Sequence, residues 1–356
     1  KKWPLVLTSL AMAACFGGLA VAWPALAATR PDLLVAVVLV LYALFSATNG
    51  LNQLVLAALQ GKLVSPGHRG RALVVSTAVG SVLAIVAALA LLGPWLAEPD
   101  GFPKIFAATA AFFALAAVAP VFLDEPAEAA CLAAESPGAS PRGMLGLVGG
   151  LMRHAAAGVE AGRRPLRADR SLVRLCAVAA CFSAVIMLFP HYQAFARDRL
   201  GSRTASLLTW VVVQNAATGI VSLVAGPLSD RRGTRIVLIW LVALSSLTPL
   251  VVTMLSLLPH ELAVEWYWIV YVPLGLNPIS LKIFTNYALE LAPRPIDHAR
   301  YVSLVGIALA APFVLSPLVG WLVDGIGFRP VFLAGAAVSA AGAVLAARLP
   351  EPRRRD

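Results

Sequence analysis

Charge-free apolar runs alternate with short polar stretches along the whole chain. Residues 33–59 and residues 236–258, for example, contain no Asp, Glu, Lys or Arg. About 20 apolar residues suffice for a helix to cross a bilayer, and the helical form satisfies every backbone group where lipid offers no partner. The pattern predicts an all-α, polytopic membrane helical bundle of about ten spans, at residues 4–27, 33–59, 72–96, 104–123, 172–193, 204–226, 236–258, 266–290, 301–323 and 328–348.

The composition agrees with membrane insertion and excludes an ordinary soluble protein. Of the 356 residues, 60% are hydrophobic and only 13% are charged, and the mean hydropathy is +0.83. Soluble domains have about 25% charged residues. The sequence contains no spacing typical of a nucleophile with its base, a phosphate-binding loop or a metal site. We therefore expect no enzyme activity, no cofactor and no metal.

The net charge of +10 reflects membrane topology rather than nucleic-acid binding. If the chain starts in the cytoplasm and the spans alternate, 21 of the 28 Lys and Arg residues fall in cytoplasmic loops and tails. This asymmetry is the positive-inside rule. We expect both termini in the cytoplasm, the protein in the plasma (inner) membrane with the lipid bilayer around it, and no nucleic-acid partner. The exceptions are Lys282, inside a span, and six residues on the opposite side: Arg30, Lys104, Arg197, Arg199, Arg203 and Arg329.

A long hydrophilic interval divides the predicted spans into two groups. The predicted domains are an incomplete four-helix N-terminal half at residues 1–123, a cytoplasmic central loop at residues 124–171, a six-helix C-terminal half at residues 172–348 and a basic cytoplasmic tail at residues 349–356. Within the loop, apolar residues recur at helical spacing between Met144 and Ala155, as in a helix that lies on the membrane surface. A flexible linker is the alternative interpretation.

Two internal similarities relate these halves. Residues 63–76 resemble residues 292–305, and residues 2–5 match residues 235–238. Residues 1–123 therefore correspond to the last four helices of a repeated unit whose full version has six. On this interpretation we expect two more helices before Lys1.

The decapeptide "GPLSDRRGTR" at residues 226–235 interrupts two apolar runs with charge and glycine. It resembles the loop motif G-x-L-x-D-R-x-G-R-[RK] of the major facilitator superfamily, which lies between the second and third helices of each six-helix half. The positions that match are Gly226, Leu228, Asp230, Arg231, Gly233 and Arg235, whereas Thr234 departs from the usual Arg. The resemblance implies helices three to twelve of a twelve-helix transporter, arranged in two pseudo-symmetric halves.

The motif also predicts a gate on the cytoplasmic side. Gly226 allows two helices to approach closely, and the arginines anchor the loop at the anionic leaflet. Asp230 is expected at the positive N-terminus of the helix that begins near Arg71. By pseudo-symmetry, a second copy of the motif would address the helix that begins near Arg300. The candidate gating residues are Gly226, Asp230, Arg231, Arg235, Arg71 and Arg300. The alternative is a solvated loop that only sets topology.

Polar residues at helical spacing predict a water-filled cavity through the helical bundle. One stripe contains Tyr42, Ser46, Asn49 and Gln53, and another contains Trp210, Gln214, Thr218 and Ser222. Amides and hydroxyls in such stripes bind solutes as both donors and acceptors. The alternative is hydrogen bonding between packed helices. The candidate substrate-binding residues are Tyr42, Asn49, Gln53, Gln214, Asn215, Asn277, Lys282 and Asn286.

Lys282 is the most informative of these residues because a cation in a bilayer costs roughly 2.5–3.5 kcal/mol on insertion scales and so usually faces a cavity or a partner. It shares a helical face with Asn286, and Pro273, Gly275 and Pro278 just before it favour a kink. Lys282 could bind an anionic or polar group of the substrate. The alternative is a lysine that snorkels to the cytoplasmic interface.

These features predict a secondary active transporter, which moves a small-molecule solute by alternating access and acts as a monomer. Lys282 favours an anionic or polyhydroxylated metabolite over a cationic drug. A coupling proton or ion is left open, because every Asp and Glu lies in a loop or at a span end and His191 is the one titratable candidate near the outer face. The alternatives are a non-transporting membrane sensor or scaffold with the same fold, and an exporter of drugs or metabolites.

Overall fold

A computed structural model describes residues 2–98, 100–123, 166, 169–201, 206–294 and 297–352. The predicted surface helix between Met144 and Ala155 and the end of the basic tail lie outside these residues. All regular structure in the described part of the chain is helical.

Nine continuous helices in the described residues are long and apolar enough to cross a membrane. They are α1 (Lys2–Leu26), α2 (Pro31–Leu63), α3 (Arg69–Ala97), α4 (Gly101–Phe122), α5 (Arg170–Leu200), α6 (Ser206–Arg232), α7 (Thr234–Leu255), α9 (His298–Ile326) and α10 (Phe328–Ala346). Each overlaps one of the predicted spans. The prediction of an all-α membrane bundle is confirmed.

The remaining predicted span, residues 266–290, is helical but broken. This segment, α8, consists of the pieces His260–Trp266, Tyr267–Val270, Tyr271–Leu274 and Asn277–Leu291. Pro273 and Pro278 have no N–H to donate, which interrupts the hydrogen-bond ladder. The Thr218 hydroxyl on α6 donates to the Gly275 carbonyl at 2.7 Å, so this carbonyl at the break has a partner. The kink that the prolines predict is present.

The helices run alternately up and down. At one end Lys2 at the start of α1 donates to the carbonyls of Val121 and Leu123 after α4, and Arg174 of α5 donates to the Arg348 carbonyl after α10. Asp230, near the last turn of α6, lies at this same end, which is called the Asp230 end below. The odd-numbered helices begin there and the even-numbered helices finish there.

The N-terminal helices (α1–α4) and the C-terminal helices (α5–α10) meet mainly where α3 packs along α6. The backbones cross at Gly70 and Gly226. A Cβ atom at Gly226 would overlap Val74 and lie 2.6 Å from the Gly70 carbonyl oxygen. A Cβ atom at Gly70 would overlap the Gly226 carbonyl and lie 2.6 Å from the carboxylate of Asp230. The close approach of the two helices therefore requires glycine on both.

We expect Gly70→Ala to destabilise the protein and Gly80→Ala to maintain or slightly raise its stability, because alanine is the better helix former. The methyl group at residue 70 meets backbone atoms that cannot give way, and overpacking of this kind costs about 1–3 kcal/mol. Gly80 lies on the same helix, and no atom lies within 4 Å of the position that a Cβ atom would take there. Thermal unfolding of the purified variants in detergent measures the difference. Equal unfolding temperatures for the two variants would contradict the close crossing at Gly70 and Gly226.

Candidate functional site between the N-terminal and C-terminal helices

Asp230 of α6 caps the N-terminus of α3. Its Oδ1 accepts from the backbone N–H of Gly70 at 2.9 Å and its Oδ2 accepts from the N–H of Arg71 at 3.0 Å. The first amides of a helix have no partner within the helix, and the helix dipole favours a negative charge there. Arg71 contributes its backbone amide, while its side chain is exposed. The carboxylate lies where the motif predicts it, and its role in gating stays a prediction.

The rest of the decapeptide makes a tight turn within the C-terminal helices. Gly233 is the single residue between α6 and α7, and its φ of +96° is a conformation that favours glycine. The Thr234 hydroxyl then donates to Glu290 Oε2 of α8 at 2.8 Å. Arg235 donates to the Ala347 carbonyl after α10 rather than across to the N-terminal helices, and Arg231 is exposed. The turn therefore ties α6, α7 and α8 together.

Arg300 lies in the first turn of α9, and its guanidinium is 3.8 Å from the carboxylate of Asp297 just before that helix. Asp297 also accepts from Arg294 at 3.1 Å. These ion pairs are local to the connection between α8 and α9. The gating role expected for Arg300 stays a prediction.

Lys282 of α8 connects to α3. Its Nζ donates to Thr77 Oγ1 at 2.7 Å and to Ser76 Oγ at 3.2 Å. Thr77 is seven residues beyond Gly70, which places the ammonium group about 10 Å along the helix from the Asp230 cap. Among the described residues Lys282 has no carboxylate partner. The cation is therefore held by neutral hydroxyls of the opposing helix, while the side chain itself is exposed. Snorkelling to the interface stays the alternative interpretation.

Asn286, one turn beyond Lys282, connects α8 to α2. Its side chain is 2% exposed, and its Oδ1 accepts from Gln60 Nε2 at 3.2 Å. The adjacent Gly61 packs so closely that a Cβ atom there would lie 2.9 Å from His298 Nδ1 of α9. Together with the Asp230 cap and the Lys282 bonds, this gives at least three polar links between the described N-terminal and C-terminal helices, and these three lie in the half of the bundle toward the Asp230 end.

The other candidates on the C-terminal helices lie near the break in α8 and on the facing part of α6. Asn277 is 8% exposed, directly after the break. The backbone carbonyl of Gln214 accepts from the same Thr218 hydroxyl that reaches Gly275. Asn215 donates to the Val211 carbonyl of its own helix at 2.9 Å. These contacts place the polar residues of α6 beside the irregular stretch of α8, and substrate binding by them stays a prediction.

The polar residues of α2 divide into two groups. Asn52 donates to Thr8 and Ser9 of α1 and so joins two packed helices. The side chains of Asn49 and Gln53 form no hydrogen bond with the described residues, and Tyr42 is 59% exposed. The structure does not bring these three candidates into contact with Lys282, so their place in a substrate site stays a prediction.

Three side chains that form these links were not among the residues predicted from the sequence. Gln60 lies seven residues after Gln53 and therefore on the same helical face, so extending the α2 stripe past residue 59 would have found it. Ser76 and Thr77 gave no such signal. Hydroxyl side chains in a span commonly bond their own backbone, and only the position of Lys282 in the structure distinguishes these two from other Ser and Thr residues. Within the described part of the chain, no group of three or more His, Cys, Asp or Glu side chains is placed to hold a metal ion.

Comparison with known proteins identifies the family. The sequence profile of the Major Facilitator Superfamily matches residues 1–294 and 197–356. The fold is similar to the crystal structure of a Major Facilitator Superfamily transporter, FucP, in the outward conformation, with a TM-score of 0.65 and 13% sequence identity. The similarity covers 98% of this chain and 83% of that chain, and at this identity it shows the fold alone. No curated protein sequence matches the chain. This protein is an integral membrane protein that belongs to the Major Facilitator Superfamily, a family of membrane transporters.

Proposed function

We propose that the protein is a secondary active transporter that moves a small polar or anionic solute by alternating access. The observation that carries this proposal is Lys282 of α8, an exposed cation whose polar partners among the described residues are the hydroxyls of Ser76 and Thr77 on the opposing helix. A cation in a segment that crosses the membrane usually faces a cavity or a partner, so Lys282 supports a polar pathway between the two groups of helices. Family membership supports a solute as the cargo and the lipid bilayer as the surroundings.

The links between the N-terminal and C-terminal helices suit a reversible gate. A single hydrogen bond contributes about 0.5–1.5 kcal/mol net, or about 1.5–3 kcal/mol when one partner is charged. A solute that binds one of two states more tightly by a free energy comparable to the sum of these links would therefore break or restore them. We propose that they break when one group of helices rocks against the other around a site near the middle of the membrane.

The positive-inside rule supports the assignment of the Asp230 end to the cytoplasm, with both chain termini there and the protein in the inner membrane. The links would then close the cytoplasmic side. We further propose a monomer with halves at residues 1–123 and 172–348 that correspond to helices three to twelve of the family fold, with transport rather than enzyme activity.

The chemistry of Lys282 supports a mechanism that couples binding to opening. A carboxylate or phosphate on the solute would offer the ammonium a charge-assisted hydrogen bond, which is stronger than a bond to a neutral hydroxyl. The solute would thus take Lys282 away from Ser76 and Thr77. Loss of that link would free α8 from α3 and weaken the closure at the Asp230 end. This competition favours anionic or polyhydroxylated solutes over cations.

We expect Lys282→Gln to weaken the binding of the transported solute by roughly 10-fold or more, because a charged hydrogen bond is lost. A panel of carboxylates, phosphate esters and polyols is first screened for thermal stabilisation of the purified protein. Affinity and counterflow into proteoliposomes without ATP are then measured for the best solute. Lys282→Arg should retain part of the affinity.

Lys104→Gln is the matched control, since Lys104 pairs with Glu98 at the far end of the bundle. Equal affinity of Lys282→Gln and the wild type for the solute would contradict a role for Lys282 in solute binding. Flux that requires ATP, or stabilisation by cationic solutes alone, would contradict the proposed function.

We expect Asp230→Asn to open the Asp230 end, because the interaction of a carboxylate with a helix N-terminus contributes about 1 kcal/mol, or roughly a 5-fold change in population. Spin labels at Gly67→Cys and Arg232→Cys report the separation of α3 and α6 in a background without native cysteines. Residue 67 has open space at its Cβ position and Arg232 is exposed. The long-distance population should grow in Asp230→Asn and stay constant in the control Asp198→Asn. An unchanged distribution in Asp230→Asn would show that the cap does not hold the gate.

A further inference from the structure

A cavity of about 390 Å³ lies at the opposite end of the bundle from Asp230, within the C-terminal helices. It forms where the last residues of α5, α7 and α9 meet the first residues of α8 and α10. Its volume is at the lower end of the range of small-molecule pockets, roughly 300–1,000 Å³. It is far from the three polar links, and the proposed transport mechanism does not use it.

Three basic side chains line this cavity and no acidic side chain of the described residues does. They are Arg199 from α5, His260 from α8 and Arg329 from α10. The orientation of Arg329 is fixed, because its Nε donates to Ser256 Oγ at 2.8 Å and a terminal nitrogen donates to the Ser256 carbonyl. The acidic residues that adjoin this group in the sequence, Asp198 and Glu261, do not line the cavity. The cavity is therefore cationic.

Two other cations at this end of the bundle are paired with carboxylates. Lys104 pairs with Glu98, and Arg197 pairs with Asp198 at 2.7 Å. Asp198 also attracts Arg199 at longer range, but neither Arg199 nor Arg329 forms a direct ion pair with a carboxylate of the described residues. Both guanidinium groups can therefore form a direct ion pair with a negatively charged ligand.

The walls and rim of the cavity are apolar. Phe195 and Leu255 are buried in its wall, whereas Leu258 and Ile326 line it and are 45% and 58% exposed. Because the cavity lies at the ends of membrane-spanning helices, this rim is at the level of lipid headgroups and the start of the acyl chains. A small free anion would gain nothing from apolar side chains at the entrance, whereas a lipid would cover them with its acyl chains.

We propose that this cavity binds the phosphate group of an anionic phospholipid from the adjacent leaflet. Arg199 and Arg329 would bind the phosphodiester, since guanidinium groups match the geometry of phosphate oxygens. The acyl chains would lie outside the cavity against Leu258 and Ile326. A lipid bound there would hold five helix ends together and stabilise the C-terminal helices.

Lipid-dependent thermal unfolding of the purified full chain tests this proposal. Phosphatidylglycerol added to the detergent-solubilised protein should raise the unfolding temperature in a saturable manner, and phosphatidylcholine should do so much less. Native mass spectrometry should retain one phosphatidylglycerol more tightly than the rest. Arg199→Gln should raise the half-saturating concentration of phosphatidylglycerol roughly 10-fold, through the loss of a charged hydrogen bond.

Arg197→Gln is the matched control, because Arg197 lies on the same helix, pairs with Asp198 and does not line the cavity. It should bind phosphatidylglycerol as the wild type does. Arg329→Lys keeps the positive charge in case Arg329→Gln fails to fold, and it should retain most of the binding. Equal effects of Arg197→Gln and Arg199→Gln, or equal protection by phosphatidylcholine, would overturn the proposal. Equal protection by inorganic phosphate at the same concentration would identify a free anion as the occupant and overturn the assignment to lipid.

Discussion

The contact between α3 and α6 depends on two glycines whose backbones meet directly. Side chains at Gly70 or Gly226 would hold the helices apart, and the Asp230 carboxylate could not then reach the amides of Gly70 and Arg71. Without that cap, the N-terminus of α3 would have unpaired donors at the membrane boundary. The bonds from Lys282 to Ser76 and Thr77 also require α3 to lie at this distance. The close approach at the two glycines is thus a condition for the polar links that α3 makes with α6 and α8.

The irregular segment α8 shows how polar chemistry is brought to membrane depth. A continuous helix would use all its backbone groups internally, whereas the break between Leu274 and Asn277 leaves a carbonyl that Thr218 of α6 satisfies. Broken backbone in a membrane is tolerated where protein surrounds it or where it lines a cavity. Beyond the break, the regular helix presents Lys282 and Asn286 one turn apart. They contact α3 and α2, so one segment bonds to two different N-terminal helices.

The spans could be predicted closely because the bilayer sets a minimum apolar length, and the kink in α8 followed from its two prolines. The position of Asp230 followed from the resemblance to the family's loop motif, together with the preference of a helix N-terminus for negative charge. The partners of Lys282 were not predictable. Ser76 and Thr77 look like any hydroxyls in a span, and their role depends on how α3 and α8 are rotated, which periodicity alone does not determine. The partners of the other polar residues of α2 were not predictable for the same reason: Asn52 binds α1 and Gln60 binds α8. The predicted stripe residues Asn49 and Gln53 form no hydrogen bond with the described residues, and their place in a substrate site stays a prediction.

The one-residue turn at Gly233 has a mechanical consequence. Only one residue separates α6 from α7, and Thr234 is hydrogen-bonded to Glu290. We therefore expect these two helices and the end of α8 to move as one rigid unit. The 27 residues of α6 make an arm about 40 Å long. A tilt of about 10° around its far end would displace the Asp230 carboxylate by about 7 Å, well beyond hydrogen-bond reach. A small rotation of a stiff arm is thus enough to turn a closed contact into a wide opening, without unfolding any helix.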